Sequence, residues 1–152
     1  MSYDERRGAT EIVPGLILGG LRDLQAMLDA APDVLAPLDR LPGHVWDSGF
    51  RGEILYCPIT DYCTLPDDVL DRFVDALLER LRRGKRIALF CVGGHGRTGY
   101  VAACLLYRLG QDNPIAFLRR KYSRSAVESE EQEDAVLRYC QRHERAPNYG
   151  CD

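Results

Sequence analysis

Apolar and polar residues along this chain fall into short blocks whose period changes from one segment to the next. In "EIVPGLILGG", residues 11–20, two apolar stretches are parted by Pro14-Gly15, which reads as strand, turn, strand, with Gly19-Gly20 as the stop. A helix is expected over Leu21 to Ala30, and "DVLAPLD", residues 33–39, is a third strand candidate weakened by Pro37. Residues 39–52, with Pro42, Gly43, Gly49 and Gly52, read as a loop that takes in His44 and Trp46. "EILYCPI", residues 53–59, reads as a buried strand ending near Pro58.

Helical spacing is clearest from Pro66 to Arg83. Val69, Leu70, Phe73, Val74, Leu77, Leu78 and Leu81 recur on one face, Asp67 and Asp68 lie in the first turn, and Gly84 follows the last. "RIALFC", residues 86–91, has the apolar run of a central strand covered on both faces. A second helix is expected through "RTGYVAACLLYRL" to Gly110, a third from Asn113-Pro114, and a fourth after Ser129, where Ser129 and Gln132 have the S-x-x-Q spacing of a capping box. Strands alternating with helices, then a helical C-terminal third, predict an α/β fold: a central, mostly parallel sheet flanked by helices.

Composition narrows the class without changing this picture. A chain of 152 residues is enough for one domain, and 45% hydrophobic with 28% charged residues is a globular mixture. A net charge of -3 gives little reason to expect nucleic acid. The basic runs Arg82, Arg83, Lys85, Arg86 and Arg119, Arg120, Lys121 each end an amphipathic helix, and read as cations complementing the helix dipole on solvated faces. "MSYDERRGAT" has no signal-like apolar core behind it, and no apolar run reaches the ~18 residues of a membrane span, so a cytoplasmic protein is expected. Six cysteines stand at 57, 63, 91, 104, 140 and 151 without a C-x-x-C pair, and most are expected to pack as small hydrophobes.

The chemistry gathers in "LFCVGGHGRTGYV", residues 89–101. A strand ending near Phe90 and a helix beginning near Arg97 make 91–97 a loop over a helix N-terminus, where unpaired N–H groups and the helix dipole favour an anion. Gly93, Gly94 and Gly96 let successive N–H groups turn inward, with Val92 and His95 completing the loop, and Arg97 supplies a planar fork for two phosphate oxygens. Such surroundings stabilise a thiolate, and Cys91 stands in them. A thiolate under a phosphate can attack phosphorus, leaving a phosphocysteine. The Thr98 hydroxyl can stabilise the sulfur when water later breaks that bond. The departing oxygen needs a proton, which Asp61 in "CPITDYCTLPDD" can supply from the C-terminal edge of the sheet. Asp67 and Asp68 are rivals, more simply read as surface residues of a first helical turn.

These segments carry a resemblance. "CVGGHGRT" has the C-x5-R-[ST] signature of the cysteine-dependent protein tyrosine phosphatases, and its placement resembles their dual-specificity branch. "PITDYCTLPDD" resembles that branch's general-acid loop, especially in cyclin-dependent-kinase-associated and phosphoinositide-type members, with Asp61 thirty residues before Cys91. "RSAVESEEQ" resembles the segment holding an Ala-Ile or Ala-Val pair and then a Gln, here Gln132, a candidate for positioning water; "VPGLILGG" is similar to the opening strands. The resemblance covers residues 12 to about 140. It implies a dual-specificity-like phosphatase domain over 11–145, between a flexible N-terminus, 1–10, and a tail, 146–152. It further implies metal-independent, cofactor-free hydrolysis of phosphotyrosine, phosphoserine or phosphothreonine, or a phosphoinositide, through a phosphocysteine. Cys91, Arg97, Asp61 and Thr98 would be catalytic, and Val92, Gly93, Gly94, His95, Gly96 and Arg97 would bind phosphate. The partner implied is a phosphorylated protein or another phosphate monoester.

One departure stands out, since the family usually has His before the nucleophile and this chain has Phe90. That leaves a second reading, a catalytically weak phosphate-binding pseudophosphatase module. Relatives directed at phosphoinositides often have Lys where this chain has His95, which points to a polyanionic or pH-sensitive substrate or else to a solvent-facing residue. A nucleotide-binding G-x-x-x-x-G-K-[ST] loop fails at Cys91 and Arg97. With 39–52 as the one sizeable free loop before Cys91, the site is expected to be shallow.

Overall fold

The computed structural model describes residues 8–40, 43 and 49–144. Most of the expected N-terminal segment, His44, Trp46 and the expected tail with Cys151 lie outside the described residues. The exception at the N-terminus is its last part, because the first strand already begins at Thr10.

The two apolar stretches around Pro14-Gly15 form β1 (Thr10–Val13) and β2 (Leu16–Gly20), an antiparallel pair whose turn holds Gly15 at φ 89°, a conformation open to glycine. Gly19 and Gly20 are the last two residues of β2, where they still pair with Phe90 and Cys91 of β5 (Ile87–Cys91). Adding β3 (Val34–Pro37) and β4 (Glu53–Ile54), the sheet runs β1-β2-β5-β3-β4, and all neighbours except β1 and β2 are parallel. A 3-10 turn (Leu21–Asp23) leads into α1 (Leu24–Asp29), and the remaining helices are α2 (Asp67–Arg82), α3 (Gly96–Arg108), α4 (Pro114–Lys121) and α5 (Glu130–Arg142). The expected α/β architecture, a mostly parallel sheet flanked by helices, is the one observed.

Alternation along the strands divides the core in two. Leu16, Leu18, Val34, Ala36, Ile87, Leu89 and Cys91 face the large cluster built with α2 to α5, whereas Ile17, Leu35, Ala88 and Phe90 face Met27 of α1. Helix α3 is buried at every residue from Gly96 to Tyr107. It fits there because Gly99 lacks a side chain: a Cβ would lie 2.7 Å from the Val127 nitrogen. Truncating a core leucine such as Leu105 should cost about 2–5 kcal/mol.

Three expectations need correction. Residues 53–59 are not a buried strand: β4 is two exposed residues at the sheet edge, and the chain then continues with only Leu55, Cys57 and Ile59 turned inward. One-sided bonds carry that stretch along β3, from Leu55 N–H to Leu35 O and from Cys57 N–H to Pro37 O. Pro37 does not weaken β3, because it is Leu38 that donates to Phe90 O, at 2.8 Å. Arg119 is more than a solvated cation: its side chain, 37% exposed, donates to the carbonyls of Ala126 and Val127 at 2.9 and 2.8 Å and pairs with Glu133 at 2.7 Å. Val127 has φ 63°, strained for a β-branched residue, and Arg119 braces it.

Candidate active site

Strand β5 delivers Cys91 to the C-terminal edge of the sheet, and the chain turns at once into α3. The carbonyls of the intervening loop point outward to fixed donors, Leu21 N–H to Val92 O at 3.0 Å and Tyr122 Oη to Gly94 O at 2.7 Å. Gly94 has φ 81°, which only glycine adopts without strain, and its N–H turns in to donate to Cys91 Sγ at 3.1 Å. Thr98, fully buried on the first turn of α3, places its hydroxyl 3.1 Å from the same sulfur. Two donors therefore meet the sulfur at the end of a helix dipole, an arrangement that suits a thiolate.

Phe90 stands on the other face of the sheet from Cys91, fully buried among Ile17, Met27, Leu35 and Ala88. The residue before Cys91 is here a packing residue, and the sulfur takes its hydrogen bonds from Gly94 and Thr98.

Arg97 is nearly enclosed, its side chain 6% exposed. Its Nη1 donates to Ile59 O at 2.9 Å and meets Asp39 Oδ2 at 2.7 Å. Its Nε is buried without a hydrogen-bond partner, since Asp61 Oδ1 at 3.6 Å is too distant for one. Buried donors in native proteins are almost always satisfied. An oxyanion in the adjoining cleft, about 490 Å³ in volume, would satisfy this one.

Asp61, Arg97 and Val92 line that cleft together with Asp39 and Arg40. Asp61 is 56% exposed, and its carboxylate accepts the N–H of Tyr62 at 3.0 Å. Tyr62 has φ 63° and is 57% exposed, a strained conformation for a bulky residue, held by Ser129 Oγ donating to Tyr62 O at 2.8 Å. Gln132 Nε2 donates to Cys63 O at 3.2 Å, and Tyr100 Oη accepts from Leu65 N–H at 3.1 Å. The segment carrying Asp61 is thereby tied to the start of α5 and the middle of α3.

Gln132 is fully buried, and both ends of its amide are engaged. Its Oε1 accepts from Glu128 N–H at 2.9 Å and, more distantly, from Ser129 N–H, while Ser129 Oγ accepts Gln132 N–H and completes the expected capping box. Positioning a water would require exchanging one of these bonds. His95 faces Ser123, with Nδ1 2.7 Å from the hydroxyl. Asp67 and Asp68 pair away from the cleft, with Arg138 and Arg142 and with Arg72.

Two acids near the loop escaped the sequence reading. Asp39 stands at the start of the 39–52 loop in the sequence reading, and the structure sets it two residues past β3, beside Arg97; its signal was a carboxylate just beyond the C-terminal edge of a parallel strand. Glu128 lies in "RSAVESEEQ" and accepts the Gly96 N–H at 2.9 Å, and a Cβ on Gly96 would fall 2.5 Å from its oxygen. No spacing rule links it to the loop. Burial pushes the thiols of Cys57 and Cys104 up from their ordinary range, consistent with packing roles.

A cysteine on a loop between a parallel strand and a helix, with an arginine of that helix lining a cleft together with an aspartate, is the arrangement of the cysteine-dependent phosphatases with the dual-specificity fold. More particularly, the family model described as "Swiss Army Knife protein, DSP-PTPase phosphatase domain" matches residues 45–145, and the chain belongs to that family. Among solved structures it is similar to Tk-PTP in its active form, with a TM-score of 0.76 and 26% identity over 89% of this chain and 97% of that one. Kinase associated phosphatase, at a TM-score of 0.71 and 18% identity over 86% and 89%, shares the fold. Two uncharacterized proteins of Methanocaldococcus jannaschii are 41% identical over 85 residues and 40% identical over 91 residues. Those matches span 56% and 60% of this chain and 58% and 57% of the relatives, less than two thirds of their length. Among the described residues no helix is long and apolar enough to cross a membrane.

Proposed function

We propose that this chain hydrolyses phosphate monoesters through a phosphocysteine, without a metal ion, and that residues 11–145 form the domain that does so. Cys91 Sγ attacks phosphorus in line, the bond from phosphorus to the ester oxygen breaks, and Asp61 gives that oxygen its proton. Water then attacks phosphorus, the sulfur leaves with the Thr98 hydroxyl donating to it, and Asp61 takes the proton back. Residues 92–97 hold the phosphate, with the Arg97 fork across two of its oxygens.

The observation that carries this reading is the buried, unpartnered Arg97 Nε in a loop whose sulfur already receives two hydrogen bonds. A phosphate-binding module without turnover would need the Arg97 site but has no use for a hydroxyl and an N–H on the sulfur. A site as shallow as the short loops before Cys91 lead one to expect would admit side chains of different length, phosphoserine and phosphothreonine as well as phosphotyrosine.

Hydrolysis of para-nitrophenyl phosphate with a chelator present tests the reading. Wild-type protein should turn it over, and Cys91→Ser should abolish turnover while still binding inorganic phosphate. Residual activity within about tenfold of wild type would remove Cys91 from the role of nucleophile.

A further inference from the structure

The cleft in front of Arg97 is much larger than one phosphate group, and its volume of about 490 Å³ is that of a site for a whole small molecule. Two cations line it, Arg97 and Arg40. Its acids are not shared equally between them. Asp39 Oδ2 is 2.7 Å from Arg97, and Asp61 Oδ1 is 3.6 Å from the same guanidinium. The remaining Asp39 oxygen accepts the backbone N–H of Arg40, at 2.8 Å. Among the described residues no carboxylate pairs with the Arg40 side chain, which is exposed at the cleft.

We propose that Arg40 is a specificity-determining residue that binds a second phosphate carried on the same compact substrate molecule as the ester being cleaved. This rests on the phosphatase reading above and names the substrate class of that site. Asp39 accepts the Arg40 backbone N–H and also holds Arg97, so the chain leaves the Arg97 anchor directly into Arg40 on the wall of the same cleft. The head of Arg40 is a planar fork with its donors uncommitted to any acid among the described residues, the form in which arginine recognises phosphate. Val92, 47% exposed, and Pro58 give the cleft an apolar wall against which a ring carrying two phosphates would lie.

The test compares wild type, Arg40→Ala and Arg40→Glu at one ionic strength on four substrates: para-nitrophenyl phosphate, an inositol monophosphate, an inositol bisphosphate, and a phosphothreonine peptide flanked by glutamates. Wild type should prefer the bisphosphate to the monophosphate by about tenfold or more in kcat/KM, the size of a charge-assisted contact. Arg40→Ala should erase that preference and leave para-nitrophenyl phosphate unchanged within about twofold, and Arg40→Glu should reverse it. Equal losses on all four substrates, no loss at all, or a preference confined to the acidic peptide would each overturn the proposal. Failure of wild type on every substrate would sink the phosphatase reading instead. Calorimetric binding of the bisphosphate and of inorganic phosphate to Cys91→Ser, with and without Arg40→Ala, then still decides the role of Arg40. Tighter bisphosphate binding that depends on Arg40 supports it, and equal binding refutes it.

Discussion

The Asp39 carboxylate stands 2.7 Å from Arg97 Nη1 and 2.8 Å from the Arg40 backbone nitrogen, so one acid just past β3 orients the arginine that follows the Cys91 loop. Asp39→Ala should leave that guanidinium without its anchor and lower kcat/KM by about 10- to 10²-fold on every phosphate ester, para-nitrophenyl phosphate included, as expected for a hydrogen bond to a charged group. Asp39→Asn keeps an acceptor and should recover part of the loss. Steady-state kinetics that matched wild type in both variants would show that Ile59 O alone suffices to hold Arg97.

For Asp61 the decisive variable is the leaving group. Asp61→Asn should cost about 10²-fold or more on an alkyl phosphate and far less on para-nitrophenyl phosphate, whose leaving oxygen needs no proton. A loss independent of leaving group would exclude Asp61 as the acid. The next candidate would then be Asp39, the other acid of the cleft, and not Asp67 or Asp68, which α5 and Arg72 already occupy.

Gln132 separates two roles by where its loss is felt. If it acts by holding Cys63 O, Gln132→Leu should slow only substrates that need Asp61, and the double variant with Asp61→Asn should lose little more than Asp61→Asn alone. If it positions water, the second step slows for all substrates, and rapid-mixing experiments with para-nitrophenyl phosphate should show a burst of nitrophenol followed by a slow steady state.

Asp71 makes acid stability testable. Two bonds from Arg142, at 3.2 and 2.7 Å, hold its carboxyl below the usual carboxylate range, against the smaller opposing effect of burial. Because the folded-state value is depressed, the stabilisation is complete above the unfolded value of about 3.9 and is lost as pH falls through the folded one. Asp71→Asn should therefore lower stability at pH 7 by up to about 1 kcal/mol, a drop in Tm of about 3 °C, and the two proteins should converge as the pH falls below that range. A calorimetric difference that stayed constant from pH 7 to strongly acid conditions would rule the ion pair out as its source.

What could be read beforehand was whatever depends on local pattern. The period of α2, the apolar run of β5 and the turn at Pro14-Gly15 each have one solution, and together with "CVGGHGRT" they place Cys91 and its glycine-rich loop between a strand and a helix. Residues 53–59 were misjudged because five of their seven side chains are apolar, so composition hid an alternation in which only Leu55, Cys57 and Ile59 turn inward. Asp39, Glu128 and Arg119 were missed or misread for another reason. Each acts on a group that tertiary folding alone brings near, a guanidinium, a loop amide and a strained carbonyl.

Tyr62 carries a consequence for how such a chain can change. Its left-handed backbone costs on the order of 1–3 kcal/mol, drawn from the rest of the fold, and it sits beside Asp61, the acid proposed to meet the leaving oxygen. A glycine there would recover part of that energy and make the molecule harder to unfold, while letting the Asp61 segment wander from the cleft. Selection for robustness and selection for turnover thus act in opposite directions at one tyrosine. A lineage that no longer needed turnover would be free to relax it while Cys91 and Arg97 were still intact.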